Sequence, residues 1–220
     1  MNRAEEDYIK IIFELELRSD SIEHVSNNLL TNYFRHTPQT VNEMIKKLVK
    51  KDLVDYVPYK GSSLTEDGRK IASSLIRKHR LWERFLVDKL AYGWDEVHEE
   101  AEKLEHATSD RLADALFHFL GEPKKCPHGN NIPQADQMLM RSKYSNLRDS
   151  QENQVYIVKR VLDNNALLKY LNQQNIYLDA EIRILQIDNI SENIIIESGE
   201  QKVAIGFNIA KNVDVIKKDN

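Results

Sequence analysis

The 220-residue sequence contains little cysteine, glycine or proline, and it has no long apolar run. A single cysteine, Cys126, excludes an internal disulfide framework and a cysteine-rich zinc ribbon. Only seven glycines are present, and none of them forms a loop of the kind that cradles phosphate. No apolar segment approaches the roughly 20 residues that a membrane-spanning helix needs, and the acidic N-terminus does not resemble a signal peptide. We therefore expect a cytoplasmic protein without a membrane partner.

An excess of basic residues is also absent, because 31 lysines and arginines stand against 35 acidic residues. The net charge of −4 argues against a protein that coats DNA as histones do, but it leaves room for a local basic patch. Apolar residues make up 41% of the chain, which is enough to build hydrophobic cores. The length favours two compact domains or three small ones.

The predicted elements of the first 74 residues follow the order helix, helix, polar helix and β-hairpin, which is typical of a winged helix-turn-helix. The polar helix begins after Thr37, a favourable N-cap, with Pro38 at its first position. Its apolar stripe is Val41, Ile45 and Leu48, and its other face is rich in lysine. A solvated amphipathic helix is the alternative, but the lysines and the following hairpin favour DNA binding. The candidate DNA contacts are Thr37, Gln39, Thr40, Asn42, Lys46, Lys47, Lys50, Tyr59 and Lys60.

Helical periodicity continues to about residue 120, after which the pattern changes to short strands. Alternating apolar residues predict strands at 155–161, 181–187, 193–197, 201–205 and 213–216, with a helical insert at 164–171. Strands of this length and spacing predict a small β-barrel in the C-terminal part of the chain. We therefore expect three domains, at residues 1–74, 75–143 and 150–220.

A cluster of possible metal ligands lies in the acidic middle of the chain. Four side chains of one predicted helix project into a sector of about 100°: His98, Glu102, Glu105 and His106. His79 and Glu83 form another pair one helical turn apart. Imidazole and carboxylate groups together suit a divalent metal ion that accepts nitrogen and oxygen ligands. Residues 92–122 hold nine acidic and two basic side chains, a net charge of −7 that a bound cation would offset. The alternative is a solvated acidic helix face.

Several of these segments together resemble the diphtheria toxin repressor and manganese transport regulator family of metal-dependent transcriptional repressors. The segments that carry the resemblance are 37–56, 59–72, the pair His79 and Glu83, 98–106 and 126–133. The resemblance implies a mainly α protein with an N-terminal winged helix-turn-helix, a helical metal-binding and dimerisation domain and a C-terminal SH3-like barrel of the FeoA type. It also implies a repressor rather than an enzyme, which binds double-stranded operator DNA as a homodimer and takes no small-molecule substrate.

The resemblance further implies two metal sites for each subunit. The primary site matches Asp7, Glu102, Glu105 and His106, and the secondary site matches His79, Glu83 and His98. We expect Asp163 to complete the secondary site from the C-terminal domain, although it could instead cap a helix. In the family the loop that holds Cys126 and His128 is structural, so neither residue is assigned to a site.

The donor atoms at the primary site favour Mn²⁺. Iron-responsive members of the family use a methionine and a cysteine where this chain has Asp7 and Glu102, which are hard oxygen donors. Lys10 stands where some members have a second glutamate, so we expect two separated single-ion sites rather than a paired centre. Fe²⁺, Zn²⁺, Co²⁺ and Cd²⁺ are expected to bind in vitro. The alternatives are an iron-dependent repressor of the same family and, from other classes, a metal-dependent hydrolase or a metal storage protein.

Overall fold

The computed structural model describes residues 1–18, 23–135, 137–139 and 144–218 of the chain. The fold divides into two compact units. The first comprises Met1–Leu81, Glu102–Glu122 and Ile132–Arg141, and the second comprises Trp82–Ala101, Pro123–Asn131 and Ser142–Asn220. Because this division runs through the middle of the chain, the predicted domain limits at 1–74, 75–143 and 150–220 stay predictions.

The N-terminal elements have the predicted order of a winged helix-turn-helix. They are α1 (Arg3–Arg18), α2 (Asn27–Phe34), α3 (Pro38–Val49), β1 (Val54–Val57) and β2 (Gly61–Leu64). The hydroxyl of Thr37 caps α3 by accepting a hydrogen bond from the backbone of Thr40, with Pro38 at the first helical position. Strands β1 and β2 pair in antiparallel register from Val54↔Leu64 to Val57↔Gly61. The predicted polar helix and hairpin are both confirmed.

The core of the first unit forms around the apolar face of α1. Ile9, Ile12 and Phe13 of this helix are fully buried against apolar side chains of the other N-terminal elements, including the predicted stripe of α3. Burial of one such side chain contributes roughly 1.5–3 kcal/mol, so the apolar face of α1 fixes the helix in its place. The polar face of the same helix is then held in a fixed direction.

Three helices occupy the middle of the chain, as the periodicity predicts. They are α4 (Glu66–Leu90), α5 (Val97–Glu105) and α6 (Asp110–Phe119). Helix α4 ends where Ala91 adopts the left-handed conformation with φ 56°. Ser109 caps α6 by accepting a hydrogen bond from the backbone of Leu112. Among the described residues, no helix is long and apolar enough to span a membrane.

The second unit is built on a six-stranded antiparallel sheet with the strand order β3-β8-β4-β5-β6-β7. The strands are β3 (Ser145–Asn146), β4 (Val155–Val161), β5 (Glu181–Asp188), β6 (Asn193–Ser198), β7 (Gln201–Gly206) and β8 (Val213–Lys217). Helix α7 (Asn165–Gln173) follows β4, and α8 (Phe207–Ala210) follows β7. The core of this unit is aliphatic and includes Val158, Leu168 and Ile182, which are fully buried. The predicted β domain with its helical insert is confirmed.

Candidate metal centres and DNA-reading surface

The first candidate metal centre lies in the first unit, at the start of α1 and the end of α5. Asp7, Glu105 and His106 each offer a ligand atom, and these atoms all lie within 4.8 Å of one another. Nε2 of His106 is 3.0 Å from Oδ1 of Asp7 and 3.4 Å from Oε1 of Glu105. The structure therefore brings together three of the four side chains predicted for the primary site.

The donor set of this centre fits a divalent cation. Nδ1 of His106 donates to Oε2 of Glu6 at 2.6 Å, which in the neutral ring leaves the lone pair on Nε2. Nε2 is buried and, among the described residues, has no partner in hydrogen-bonding geometry, although Asp7 and Glu105 face it. A carboxylate that fixes one ring nitrogen while the other points at oxygen donors is the usual support of a metal-binding histidine.

Negative charge accumulates at the first centre. Burial raises the pKa of Asp7, and the charges of Glu102 and Glu105 raise it further, against the opposite effect of His106 and Arg3. A divalent cation would relieve this repulsion. Glu102 thus contributes charge to the centre, but its oxygens do not belong to the group of three described above. Its predicted role as a ligand stays a prediction.

A buried lysine also belongs to the first centre. Nζ of Lys10 donates to both carboxylate oxygens of Glu105, at 2.9 and 2.7 Å, and lies 3.3 Å from Nδ1 of His79. Burial alone would lower the pKa of Lys10, but Glu105 and Glu14 raise it above its usual value, so the ammonium stays charged. This built-in cation offsets one negative charge of the centre. The sequence marks Lys10 as unusual, but its pairing with Glu105 is a long-range contact that no local pattern reveals.

His79 contributes to the same network. Its Nδ1 lies 2.5 Å from Oε2 of Glu105, and both side chains are buried. Burial alone would raise the pKa of Glu105, but its hydrogen bond with His79 and the charges of His79 and Lys10 lower the pKa below its usual value. His79 therefore lies with residues of the primary site in the first unit, and its predicted role in the secondary site stays a prediction.

The second candidate centre lies in the second unit. Glu83, His98 and Asp163 offer ligand atoms within 4.8 Å of one another. Nδ1 of His98 is 2.7 Å from Oδ2 of Asp163. The side chain that caps α7 is that of Asn164, which accepts a hydrogen bond from the backbone of Leu167. The alternative interpretation of Asp163 as the N-cap is therefore wrong, and the structure groups this aspartate with Glu83 and His98.

The structure adds two residues that the sequence interpretation sets aside. Cys126, His128 and Glu83 form a fully buried group of possible ligands. Nδ1 of His128 lies 3.1 Å from Oε1 of Glu83 and 3.7 Å from Oδ1 of Asp163. Burial alone would lower the pKa of His128, but Glu83, Cys126 and Asp163 raise it to about 12. Nδ1 of His128 therefore faces two carboxylates, and the same carboxylates would attract a metal cation.

A tight loop fixes the positions of Cys126 and His128. The backbone N–H of Cys126 donates to the carbonyl of Asn130, and that of Gly129 donates to the carbonyl of Cys126. Gly129 has φ 81°, and a Cβ atom there would lie 2.1 Å from the carbonyl oxygen of Lys159, so only glycine fits. The Cys-x-His spacing is the sequence signal for this pair, and the fold places it beside Glu83.

The third functional surface is the outer face of α3 with the β1–β2 turn. All the predicted DNA contacts are exposed: Thr37, Gln39, Thr40, Asn42, Lys46, Lys47, Lys50, Tyr59 and Lys60. Tyr59 is fully exposed at the hairpin turn with φ 66°. Nδ2 of Asn27 donates to Oδ1 of Asn42 at 2.5 Å, which links α2 to the face of α3. The geometry suits an element that enters a DNA groove, but the individual contacts stay predictions.

Three family models match successive parts of the chain. Residues 1–62 match the N-terminal DNA-binding domain of iron-dependent repressors, and residues 65–134 match the metal-binding and dimerisation domain of these proteins. Residues 146–217 match the FeoA domain. The matches occur in the order that the sequence predicts for the three domains.

Curated relatives include iron-dependent repressors. The chain is 33% identical over 128 residues to the iron-dependent repressor IdeR of Mycobacterium tuberculosis (strain ATCC 25618 / H37Rv), an alignment that covers 58% of this chain and 54% of the relative. It is 30% identical over 133 residues to the diphtheria toxin repressor of Corynebacterium diphtheriae, covering 60% of this chain and 58% of the relative. The matches thus span little more than half the length of these relatives.

Solved structures resemble nearly the whole chain. The manganese regulator SloR is 41% identical, with a TM-score of 0.86 over 97% of this chain and 98% of that chain. A manganese-dependent transcriptional repressor in complex with manganese is 33% identical, with a TM-score of 0.88 over 97% and 100%. The structure of ScaR with bound Zn²⁺ is 37% identical, with a TM-score of 0.87 over 97% and 99%.

Proposed function

The chain belongs to the family of iron-dependent repressors, and from this premise we propose that it is a transcriptional repressor whose binding to DNA depends on a divalent metal ion. The first metal centre is the observation that carries the proposal. Asp7 of α1 lies there with Glu105 and His106, in the same unit as α3 and the hairpin. We call α1, α2, α3 and the β1–β2 hairpin the reading head, and α3 the reading helix. An ion held by these side chains would tie α1 to α5.

The mechanism follows from charge at that centre. Without a cation, Asp7, Glu102 and Glu105 repel one another, which opposes the approach of α1 to α5. A divalent metal at this centre would supply positive charge and accept bonds from oxygen and nitrogen. Asp7 and His106 would hold it and would thereby keep α1, and with it α3, in the arrangement that binds DNA. Metal shifts this equilibrium only to the extent that it binds the two arrangements with different affinity.

We propose Mn²⁺ as the activating metal of the first centre. Carboxylate oxygens and one imidazole are ligands that suit Mn²⁺, and sulfur is not among the donors there. The solved relatives named as manganese regulators support this choice, whereas the curated relatives are named as iron-dependent, which makes Fe²⁺ the alternative. Because Lys10 already offsets the charge of Glu105, we propose one ion at this centre rather than two.

We propose a second ion in the second unit. Glu83, His98 and Asp163 would hold it as predicted. Cys126 and His128 lie beside Glu83 and would add a thiolate and, once the metal displaces the proton from Nδ1, a neutral imidazole. This set includes a sulfur atom, so we expect it to accept softer metals such as Cd²⁺ and Zn²⁺ more readily than the first centre does. His79 remains a predicted ligand of this ion. The second ion would stabilise the active arrangement rather than create it.

The partner that fits the reading head is double-stranded operator DNA. We propose that the protein binds it as a homodimer, with two copies of α3 set for successive major grooves about 34 Å apart. The family resemblance suggests promoters of manganese-uptake genes as targets. A repressor acts on the DNA of the cell, so the expected cytoplasmic location is part of the proposal.

A mobility-shift assay separates this function from its rivals. The full chain is incubated with a random duplex pool and Mn²⁺, Fe²⁺, Zn²⁺ or EDTA, and the shifted DNA is selected and sequenced. A repressor of the proposed kind retards a specific duplex with Mn²⁺ and not with EDTA. A metal storage protein binds the ions without retarding specific DNA. A metal-dependent hydrolase would need an open coordination position and a general base, and it would turn over a substrate without any need for DNA.

A further inference from the structure

Helix α1 bonds to the C-terminal part of the reading helix through Glu5. This carboxylate is 1% exposed and accepts hydrogen bonds from Nζ of Lys51 at 2.8 and 2.9 Å. Nζ of Lys47 lies 2.9 Å from the same side chain. Asn2 also binds Glu5 through reciprocal hydrogen bonds of 3.0 Å, which fixes the first turn of α1. A buried acid therefore holds two lysines at the end of α3.

Tyr8 connects α1 to the segment just before α3. The buried Tyr8 ring stacks on Phe34 with a centroid distance of 4.1 Å and an interplanar angle of 6°. Its hydroxyl lies 3.0 Å from Nδ1 of His36, which immediately precedes Thr37, the N-cap of α3. A hydrogen bond and an aromatic stack thus connect α1 to the segment that starts α3.

The same helical turn carries the first metal centre. Glu6 and Asp7 stand between Glu5 and Tyr8 in the sequence. Glu6 lies 2.6 Å from Nδ1 of His106, and Asp7 lies 3.0 Å from its Nε2. Within one turn of α1, Glu6 and Asp7 thus face the metal centre, whereas Glu5 and Tyr8 on either side of them contact α3 and the segment before it. We propose that Glu5 and Tyr8 are positioning residues that transmit occupancy of the first metal centre to the reading helix. The inference rests on the proposed function, since it concerns how metal controls DNA binding.

The physical basis is the stiffness of one helical turn. Adjacent residues in a hydrogen-bonded turn cannot move independently, so a displacement of Asp7 displaces Glu5 and Tyr8 as well. The contacts of Glu5 with the end of α3 and of Tyr8 with the segment before α3 are short and buried on the α1 side, which makes them suited to carry such a displacement. Neither residue is among the proposed metal ligands or the predicted DNA contacts. Loss of either side chain should therefore change the coupling between metal binding and DNA binding.

The test compares the effect of Mn²⁺ on DNA affinity among full-length variants. Fluorescence anisotropy gives the Kd for a duplex selected from a random pool by the wild-type protein with Mn²⁺, once with Mn²⁺ and once with EDTA. We expect Glu5→Gln to reduce the ratio of the Kd in EDTA to the Kd in Mn²⁺ by about tenfold. A change of this size is within the range typical of coupling between sites. Tyr8→Phe, which keeps the stack and removes the hydroxyl, should reduce the ratio in the same direction. Mn²⁺ affinity without DNA should stay within about threefold of wild type.

Glu66→Gln is the matched control, because Glu66 forms an exposed pair of 2.9 Å with Lys70 on α4. It should leave the ratio unchanged. Lys51→Gln tests the same contact from its exposed side and keeps the test valid if Glu5→Gln fails to fold. The double variant Glu5→Gln/Lys51→Gln should resemble Glu5→Gln, which alone removes the ion pairs with both lysines, whereas Lys51→Gln leaves the pair of Glu5 with Lys47 in place.

Each other outcome overturns the inference. A wild-type ratio in Glu5→Gln and Lys51→Gln would mean that the contact carries no coupling. Tight DNA binding by Glu5→Gln in EDTA would mean that Glu5 restrains the lysines instead of positioning the helix. Failure of the wild-type protein itself to bind any duplex more tightly with Mn²⁺ would refute the proposed function, and that result is distinct from the other two.

Discussion

The buried ammonium of Lys10 is expected to stabilise the first centre through its ion pair with Glu105. Replacement by Met leaves the carboxylate of Glu105 without its buried ammonium partner, and breaking such a pair costs about 3–5 kcal/mol. We expect Lys10→Met to lower the free energy of unfolding in EDTA by an amount of this order. Mn²⁺ should restore part of the loss, because the cation offsets the same negative charge.

Urea unfolding in EDTA and in Mn²⁺ measures both effects for Lys10→Met. Lys70→Met is the matched control, because Lys70 lies on the surface and its ion pairs are exposed. Equal stability of Lys10→Met and wild type in EDTA would show that the ammonium does not hold Glu105 in solution.

Cys126 is the residue whose assignment changes most between sequence and structure. The Cys-x-His spacing is visible in the chain, but only the fold shows Cys126 and His128 buried beside Glu83. We expect wild-type protein loaded with Co²⁺ to show a thiolate-to-metal charge-transfer band, and Cys126→Ser to lack it, because the thiolate is the metal ligand. A band that survives in Cys126→Ser would remove Cys126 from the second centre.

Features of helices and strands can be predicted from sequence when they depend on residues that are neighbours in the chain. The cap and apolar stripe of α3 are local patterns, and the structure confirms both. The grouping of Asp7 with His106 depends on the packing of α1 against α5, so residue spacing alone does not reveal it, and it entered through the family resemblance. Neither a local sequence pattern nor the family resemblance indicates the contact between Lys10 and Glu105.

The loop at 126–131 makes a prediction at this scale. Gly129→Ala should displace Cys126 and His128, because the added Cβ would clash with the carbonyl of Lys159 and φ is positive. Metal content measured by mass spectrometry should fall from two ions to one for each chain. Gly121→Ala is the control: Gly121 also has a positive φ, of 75°, but its Cβ would have nothing within 4 Å. Two ions retained by Gly129→Ala would separate this loop from the second centre.

At the scale of the whole molecule, the net charge of −4 divides into regions with different roles. The lysines of α3 lie exposed on the reading head, whereas the acidic side chains of residues 92–122 supply Glu102 and Glu105 to the first centre. An overall acidic composition is therefore compatible with DNA binding, since under the proposed function part of the acidity would receive a cation. DNA affinity and metal affinity are then two readouts of one equilibrium.

The DNA affinity of Asp7→Ala at limiting Mn²⁺ shows whether the first metal centre controls DNA binding. Fluorescence anisotropy with a duplex selected by the wild-type protein compares wild type, Asp7→Ala and Asp67→Ala, whose altered carboxylate lies on the surface of α4. We expect Mn²⁺ to strengthen DNA binding by about 10- to 100-fold for wild type and Asp67→Ala, and to leave Asp7→Ala at its EDTA level. Wild-type binding by Asp7→Ala at the same Mn²⁺ concentration would show that metal at the first centre does not control DNA binding.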